Sequence, residues 1–221
     1  MWWHNRRNVS VVVDNDSWIL PFAHKLVTLI NQQGHNAKLC REHNEILSGG
    51  VAFFLGCVHI APAEVLALNY QNLLIHESDL PKGKGFAPLS WQVLNGESKI
   101  CFCLLAAAED VDAGDIIYKD YIYLTGNELN DELRNLQGHK TSDLCMRYLD
   151  EPLPKHGDAQ MGDSSFFKRR RPQDSELNMD MTIREQFNLL RIVDNERYPA
   201  FFYHNDEKYI LQISKASEVD K

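Results

Sequence analysis

Four short runs in the first half of the chain are almost free of charge: 8–13 (NVSVVV), 51–55 (VAFFL), 73–75 (LLI) and 100–105 (ICFCLL). Runs this short and this apolar read as strands covered on both faces, because a strand with one wet face alternates in polarity instead. The segments between them have helical character. Asp14-Asn15-Asp16-Ser17 follows the first run, and Asp16 or Ser17 suits an N-cap. Trp18, Phe22, Leu26 and Ile30 then recur every four residues. Pro21 falls where a first helical turn tolerates it, and Gly34 ends the segment. A second strand at 36–40 completes a strand–helix–strand unit without the glycine fingerprint of dinucleotide binding.

The alternation continues: a short helix from Pro62, a helix from Pro88 to Gly96, an edge strand at 118–123, and a helix at 127–149 that Gly138 is expected to interrupt. Alternating strands and helices imply an α/β fold, a Rossmann-like, mostly parallel sheet with helices on both faces. Residues 151–163, with Pro152, Pro154, Gly157 and Gly162, read as a linker. Beyond it, Thr182 and Glu185 form a capping box that opens a helix with Ile183, Phe187, Leu190 and Val193 on one face, and 200–203 and 208–213 form a hairpin. The expected organisation is a core at 1–150 and a small helix and β-hairpin extension at 151–221.

Composition narrows the partners. The 221 residues carry a net charge of −8, which argues against a general nucleic-acid binder. No run approaches the ~18 apolar residues of a membrane span, and no signal-peptide pattern precedes the first strand, so a cytoplasmic location is expected. Five cysteines, scattered and odd in number, lack metal-ligand spacing and read as free thiols, with no metal expected. Cys101 and Cys103 share parity on a strand and should face one side.

Two residues stand where apolar runs end. His76 follows the third run, and Asp112 lies in Asp112-Ala113-Gly114-Asp115 after the fourth. Ligands of open α/β sheets gather at the carboxyl ends of strands, so an acid/base pair is expected there. Farther on, Lys168-Arg169-Arg170-Arg171 is a run of cations in an acidic chain, and arginine forks match phosphate oxygens.

The stretch His76-Glu77-Ser78-Asp79-Leu80-Pro81, Gly83-Lys84-Gly85, Pro88, Asn95-Gly96-Glu97 and Asp112-Ala113-Gly114-Asp115-Ile116 resembles the core signature of the formyltetrahydrofolate-dependent formyltransferases. The tail, Phe167 with Arg169-Arg170 and Pro172, then Asn188-Leu189-Leu190-Arg191, Asp194 and Pro199-Ala200-Phe201, resembles the branch acting on nucleotide-linked amino sugars. The resemblance implies N10-formyltetrahydrofolate as co-substrate and formyl transfer to an amine of a nucleotide-linked 4-amino-4,6-dideoxy sugar. UDP-linked sugars are favoured and dTDP-linked sugars are the alternative, with a place in lipopolysaccharide or glycan biosynthesis and a possible homodimer. In such a reaction the amine attacks the formyl carbon, an oxyanion needs a donor, and a carboxylate takes or relays the proton. The resemblance gives His76 the first role and Asp112 the second. It places folate against Gly56, Cys57, Val58, Ala108 and Val111, and the acceptor against Asn15, Ser17, Lys82, Gly83, Lys84 and Gly85, with Arg169 and Arg170 on its phosphates.

One departure matters. The family pattern has an Asn two residues before the histidine, and this chain has Leu74. The oxyanion then relies on His76, a backbone N–H or water. Leu74 also motivates a different class, a folate-fold binding module without activity. Glycinamide ribonucleotide formylation does not call for this tail. A tRNA formyltransferase is opposed by the acidic charge and the lack of a visible C-terminal barrel.

Overall fold

The computed structural model describes Trp3 and residues 6–216. In chain order the elements are β1 (Asn8–Val12), α1 (Leu20–Gln32), β2 (Asn36–Cys40), β3 (Val51–Phe54), α2 (Ala63–Leu66), β4 (Gln71–His76), β5 (Lys84–Gly85), α3 (Pro88–Leu94), β6 (Lys99–Ala106), β7 (Ile116–Tyr123), α4 (Asn130–Leu149), β8 (Phe166–Phe167), α5 (Phe187–Ile192), β9 (Ala200–His204) and β10 (Glu207–Leu211).

β1, β2, β3, β4, β6 and β7 form one sheet in the order β2-β1-β3-β4-β6-β7. β2, β1, β3 and β4 are parallel, and β6 pairs antiparallel with both β4 and β7. β6 therefore runs against the other strands, as the short connection from β6 to β7 requires, since parallel neighbours need a long crossover. Apolarity at 100–105 marked a buried strand without marking its direction. The expectation that Asp112, like His76, follows the carboxyl end of a parallel strand is corrected here. Leu73 pairs with Ala106 and His76 with Cys103, so the two strands end at opposite sides of the sheet.

Strand alternation sorts the core. Val9, Val11, Phe53, Leu73, Ile100, Phe102 and Leu104 face α1 and α4, where Leu26, Ile30, Leu133, Leu144 and Tyr148 complete the main cluster. Val12, Ala52, Phe54 and Leu74 face the other way, against Val65 of α2. Cys101, Cys103 and Leu105 lie on this second face with Leu80, and the two thiols are 4.0 Å apart, as their shared parity required.

Local details refine the reading. α1 begins at Leu20 with Ile19 at the cap position and no side-chain cap. Asp16 instead pairs with Arg41 at 2.9 Å, and Ser17 Oγ accepts only a long bond from Ile19 N at 3.5 Å. Gly138 does not interrupt α4. A Cβ there would fall 2.5 Å from the ring of Phe22, so glycine lets α1 and α4 approach. The Thr182–Glu185 capping box forms, but it closes a turn ahead of α5 and leaves Ile183 69% exposed. Leu190, Val193 and Ala200 make the small apolar cluster of the extension. Arg191 joins it to the core through a buried pair with Glu128 at 2.9 Å.

Candidate active site

The alternation that buries Leu73 under α4 turns Leu74 and His76 to the opposite face. There the loop between β6 and β7 folds back along the sheet. Asp112 has a φ of +50° at its tip, and its Oδ2 stands 3.4 Å from His76 Nδ1. The carboxylate also accepts a bond from Gly85 N at 2.9 Å. On the far side of the ring, His76 Nε2 donates to the Gly83 carbonyl at 2.7 Å. The ring is thus flanked by two oxygens, Asp112 Oδ2 on one side and the Gly83 carbonyl on the other. The side chains of His76 and Asp112 are 6% and 12% exposed.

The turn at Gly83–Gly85 thus touches both members of the pair. It is held by a segment distant in sequence: Gly83 N donates to Ser165 Oγ, Lys84 N to Ser165 O and Phe86 N to Phe167 O. β5 and β8 pair in parallel through these residues. Gly85 has φ +97°, and a Cβ there would lie 2.6 Å from Phe167 O, so both the turn and the approach need glycine. Trp91 stacks near Phe167 and donates to Lys168 O at 2.8 Å.

Behind the pair, on the α4 side, Glu77 accepts from Gln137 Nε2 at 2.7 Å, and its backbone carbonyl accepts from Gln92. Burial pushes the Glu77 carboxyl up, with the nearby His76 opposing.

The other sequence candidates fall into separate groups. Asn15 Nδ2 bridges Asp14 Oδ1 and the Gly56 carbonyl, both at 2.8 Å. Asp14 Oδ2 receives the amides of Val58 and His59 at 3.2 and 2.9 Å. Burial raises the Asp14 carboxyl, but the bonds from Asn15, Val58 and His59 outweigh it and hold it low. Cys57 is tucked against Val12 O, and burial pushes its thiol up to about 12. Ser17 lines a cavity of about 780 Å³ with Trp18, Asn130, Arg134, Asp194 and Arg197, to which neither His76 nor Asp112 contributes. Lys82 is exposed beside the Gly83–Gly85 turn.

The cation run divides. Arg169 is exposed, with its guanidinium 5.5 Å from the Phe86 ring centroid. Arg170 is half-buried and turned toward its own chain. Its Nη2 donates to Asp174 O at 3.0 Å, and burial draws its pKa down. Lys168 pairs with Asp174 at 2.7 Å. Lys168 and Arg170 find their partner in Asp174, six and four residues along, in the turn at Pro172–Ser175.

Sequence reasoning missed Gln160, whose amide donates to the carbonyls of Asp112 and Gly114 at 2.7 and 2.9 Å. It also missed Ser165 and the anchoring role of Asp14. A glutamine among Pro and Gly residues gives no sequence signal. An aspartate directly after a β-branched strand gives a weak one.

A mixed α/β sheet with a largely buried imidazole–carboxylate pair on one face is the arrangement of an α/β enzyme. The chain belongs to the formyl transferase family, whose model matches residues 22–147. Solved structures with the same fold include methionyl-tRNA formyltransferase from Clostridium thermocellum, 22% identical with a TM-score of 0.78, covering 96% of this chain and 94% of that one. A sugar N-formyltransferase from a Shewanella species is 15% identical with a TM-score of 0.70, covering 96% and 98%. HypX from Aquifex aeolicus in complex with tetrahydrofolic acid is 13% identical with a TM-score of 0.70, covering 95% of this chain and 38% of that one. At these identities the likeness is one of fold.

The formyl donor of the family is N10-formyltetrahydrofolate. The residues present fit such a group. Asn72 Oδ1 and Gln160 Oε1 are buried acceptors without a partner, on elements that flank the Asp112 loop. Val58, Ile60 and Val111 expose apolar surface. A flat ring edged with N–H donors suits acceptors and apolar surface together. Among the described residues no group of three or more His, Cys, Asp or Glu could hold a metal ion, and no helix is long and apolar enough to cross a membrane.

Proposed function

We propose that the protein transfers a formyl group from N10-formyltetrahydrofolate to the amine of a nucleotide-linked 4-amino-4,6-dideoxy sugar, UDP-linked in preference to dTDP-linked. The observation that carries the chemistry is the 3.4 Å approach of His76 and Asp112 above the Gly83–Gly85 turn. The bound folate supplies an activated formyl group. His76 holds an N–H for the oxygen on which negative charge grows, exchanging its bond to the Gly83 carbonyl for that oxygen. Asp112 accepts or relays the proton that the incoming amine loses. Gly56, Cys57, Val58, Ala108 and Val111 would hold the folate, and Asn15, Ser17, Lys82 to Gly85 and Arg169 the acceptor. The sugar acceptor is supported by the tail pattern and by the sugar N-formyltransferase of the same fold. In this reading residues 1–150 carry the transfer and 151–221 complete the site, in a cytoplasmic homodimer serving glycan biosynthesis.

A second reading has a specific basis. Leu74 packs into the apolar clusters beside His76, and both ring nitrogens are occupied, as a folate-binding module without turnover would have them. One experiment separates the two. The protein is incubated with N10-formyltetrahydrofolate and a panel of UDP- and dTDP-linked amino sugars, and product mass is followed. A formamide with one sugar supports transfer. Folate binding with no formamide from any sugar supports the module.

A further inference from the structure

Gln160 lies in a stretch with no regular structure, yet it grips the loop that carries Asp112. Its Nε2 donates to the carbonyls of Asp112 and Gly114, at 2.7 and 2.9 Å. Those two carbonyls bracket a turn in which Asp112 has φ +50°, a conformation that costs an L-residue energy unless neighbours enforce it. Two residues earlier, Asp158 exchanges both backbone bonds with Ile116 at 2.9 Å, which anchors the segment on the first residue of β7. The loop is therefore clamped from two sides. Gln160 holds its backbone, while Gly85 N and His76 meet its carboxylate.

We infer that Gln160 is a positioning residue, which sets the Asp112 carboxylate against His76 through the backbone of residues 112–114. This rests on reading His76 and Asp112 as the reacting pair. Two donors on one nitrogen are the property used, and an apolar side chain of the same length lacks them. Released from Gln160, the turn relaxes toward negative φ and the carboxylate leaves the ring.

The test is nuclear magnetic resonance of the histidine rings in uniformly labelled protein, with His76 assigned from His76→Ala. It needs no acceptor. Asp112→Asn should move the His76 ring resonances. Gln160→Met should move them in the same direction and leave the other histidines in place. The double variant should look like Asp112→Asn alone. Gln160→Asn withdraws the amide by one methylene and should shift His76 part of the way, and it serves if Gln160→Met does not fold. Where turnover is measurable, Gln160→Met should lower kcat roughly tenfold to hundredfold, as small misplacements of reacting groups do, with KM unchanged. If Asp112→Asn moves His76 and neither Gln160 variant does, the proposal fails and the pair stands. If Asp112→Asn leaves His76 unmoved, the reading of the pair fails instead.

Discussion

His76 Nδ1 lies 3.4 Å from Asp112 Oδ2, although the strands that precede them run in opposite directions. The pair meets because the β6–β7 loop turns back over the sheet, not because two strands end side by side. Replacing His76 with Ala or Asp112 with Asn should each lower kcat by roughly 10²-fold or more, with little change in KM, because each removes a group that acts on developing charge or on a proton. Steady-state kinetics of the two variants check this. Near-normal turnover in either would remove that residue from the chemistry.

The cations at 168–171 should respond differently from one another. Arg169 is exposed beside Phe86, next to the turn that holds His76, and is free to meet a diphosphate. Arg169→Ala should raise the KM for a sugar nucleotide, leave folate affinity unchanged, and flatten the salt dependence of binding. Arg170→Ala should lower the melting temperature instead, because Arg170 is bonded to the Asp174 carbonyl in the Pro172–Ser175 turn. Equal effects of both on KM would contradict this division.

Acid should weaken the fold at Glu128. Burial raises the Glu128 carboxyl, but the hydroxyl and amide of Thr125 and the amide of Gly126 outweigh it and hold it at about 2, against an ordinary 4.5. A carboxyl held low stabilises the fold fully above its unfolded value, and that stability fades as pH falls from 4.5 toward about 2. Urea midpoints should therefore drop across this window in the wild type and less steeply in Glu128→Gln. At neutral pH, Arg191→Met leaves the Glu128 charge buried without its ion partner and should cost roughly 3 kcal/mol.

Gly138→Ala should destabilise the protein although it improves helix propensity by about 1 kcal/mol. The added Cβ would meet the Phe22 ring at 2.5 Å, and overpacking of this kind costs roughly 1–3 kcal/mol. A stabilising Gly138→Ala would show that α1 can move away from α4. Phe22→Ala in the same background should recover part of the loss.

Much of this molecule is legible in the sequence. The apolar runs at 8–13, 51–55, 73–75 and 100–105 became β1, β3, β4 and β6, because burial on both faces leaves no polar alternation to mistake. The place of His76 at the end of β4 followed from where an apolar run stops. The capping box at Thr182 and Glu185 formed as its spacing dictates, since it joins neighbours along the chain. Only the tertiary structure decided the direction of β6, the meeting of Asp112 with His76, and the grip of Gln160 on the Asp112 loop. Local signals report which residues avoid water and which can turn the chain. They do not report which strand lies beside which, in what direction, or which distant carbonyl a side chain reaches. Those outcomes depend on how the whole sheet closes over its core, and the site is assembled from them.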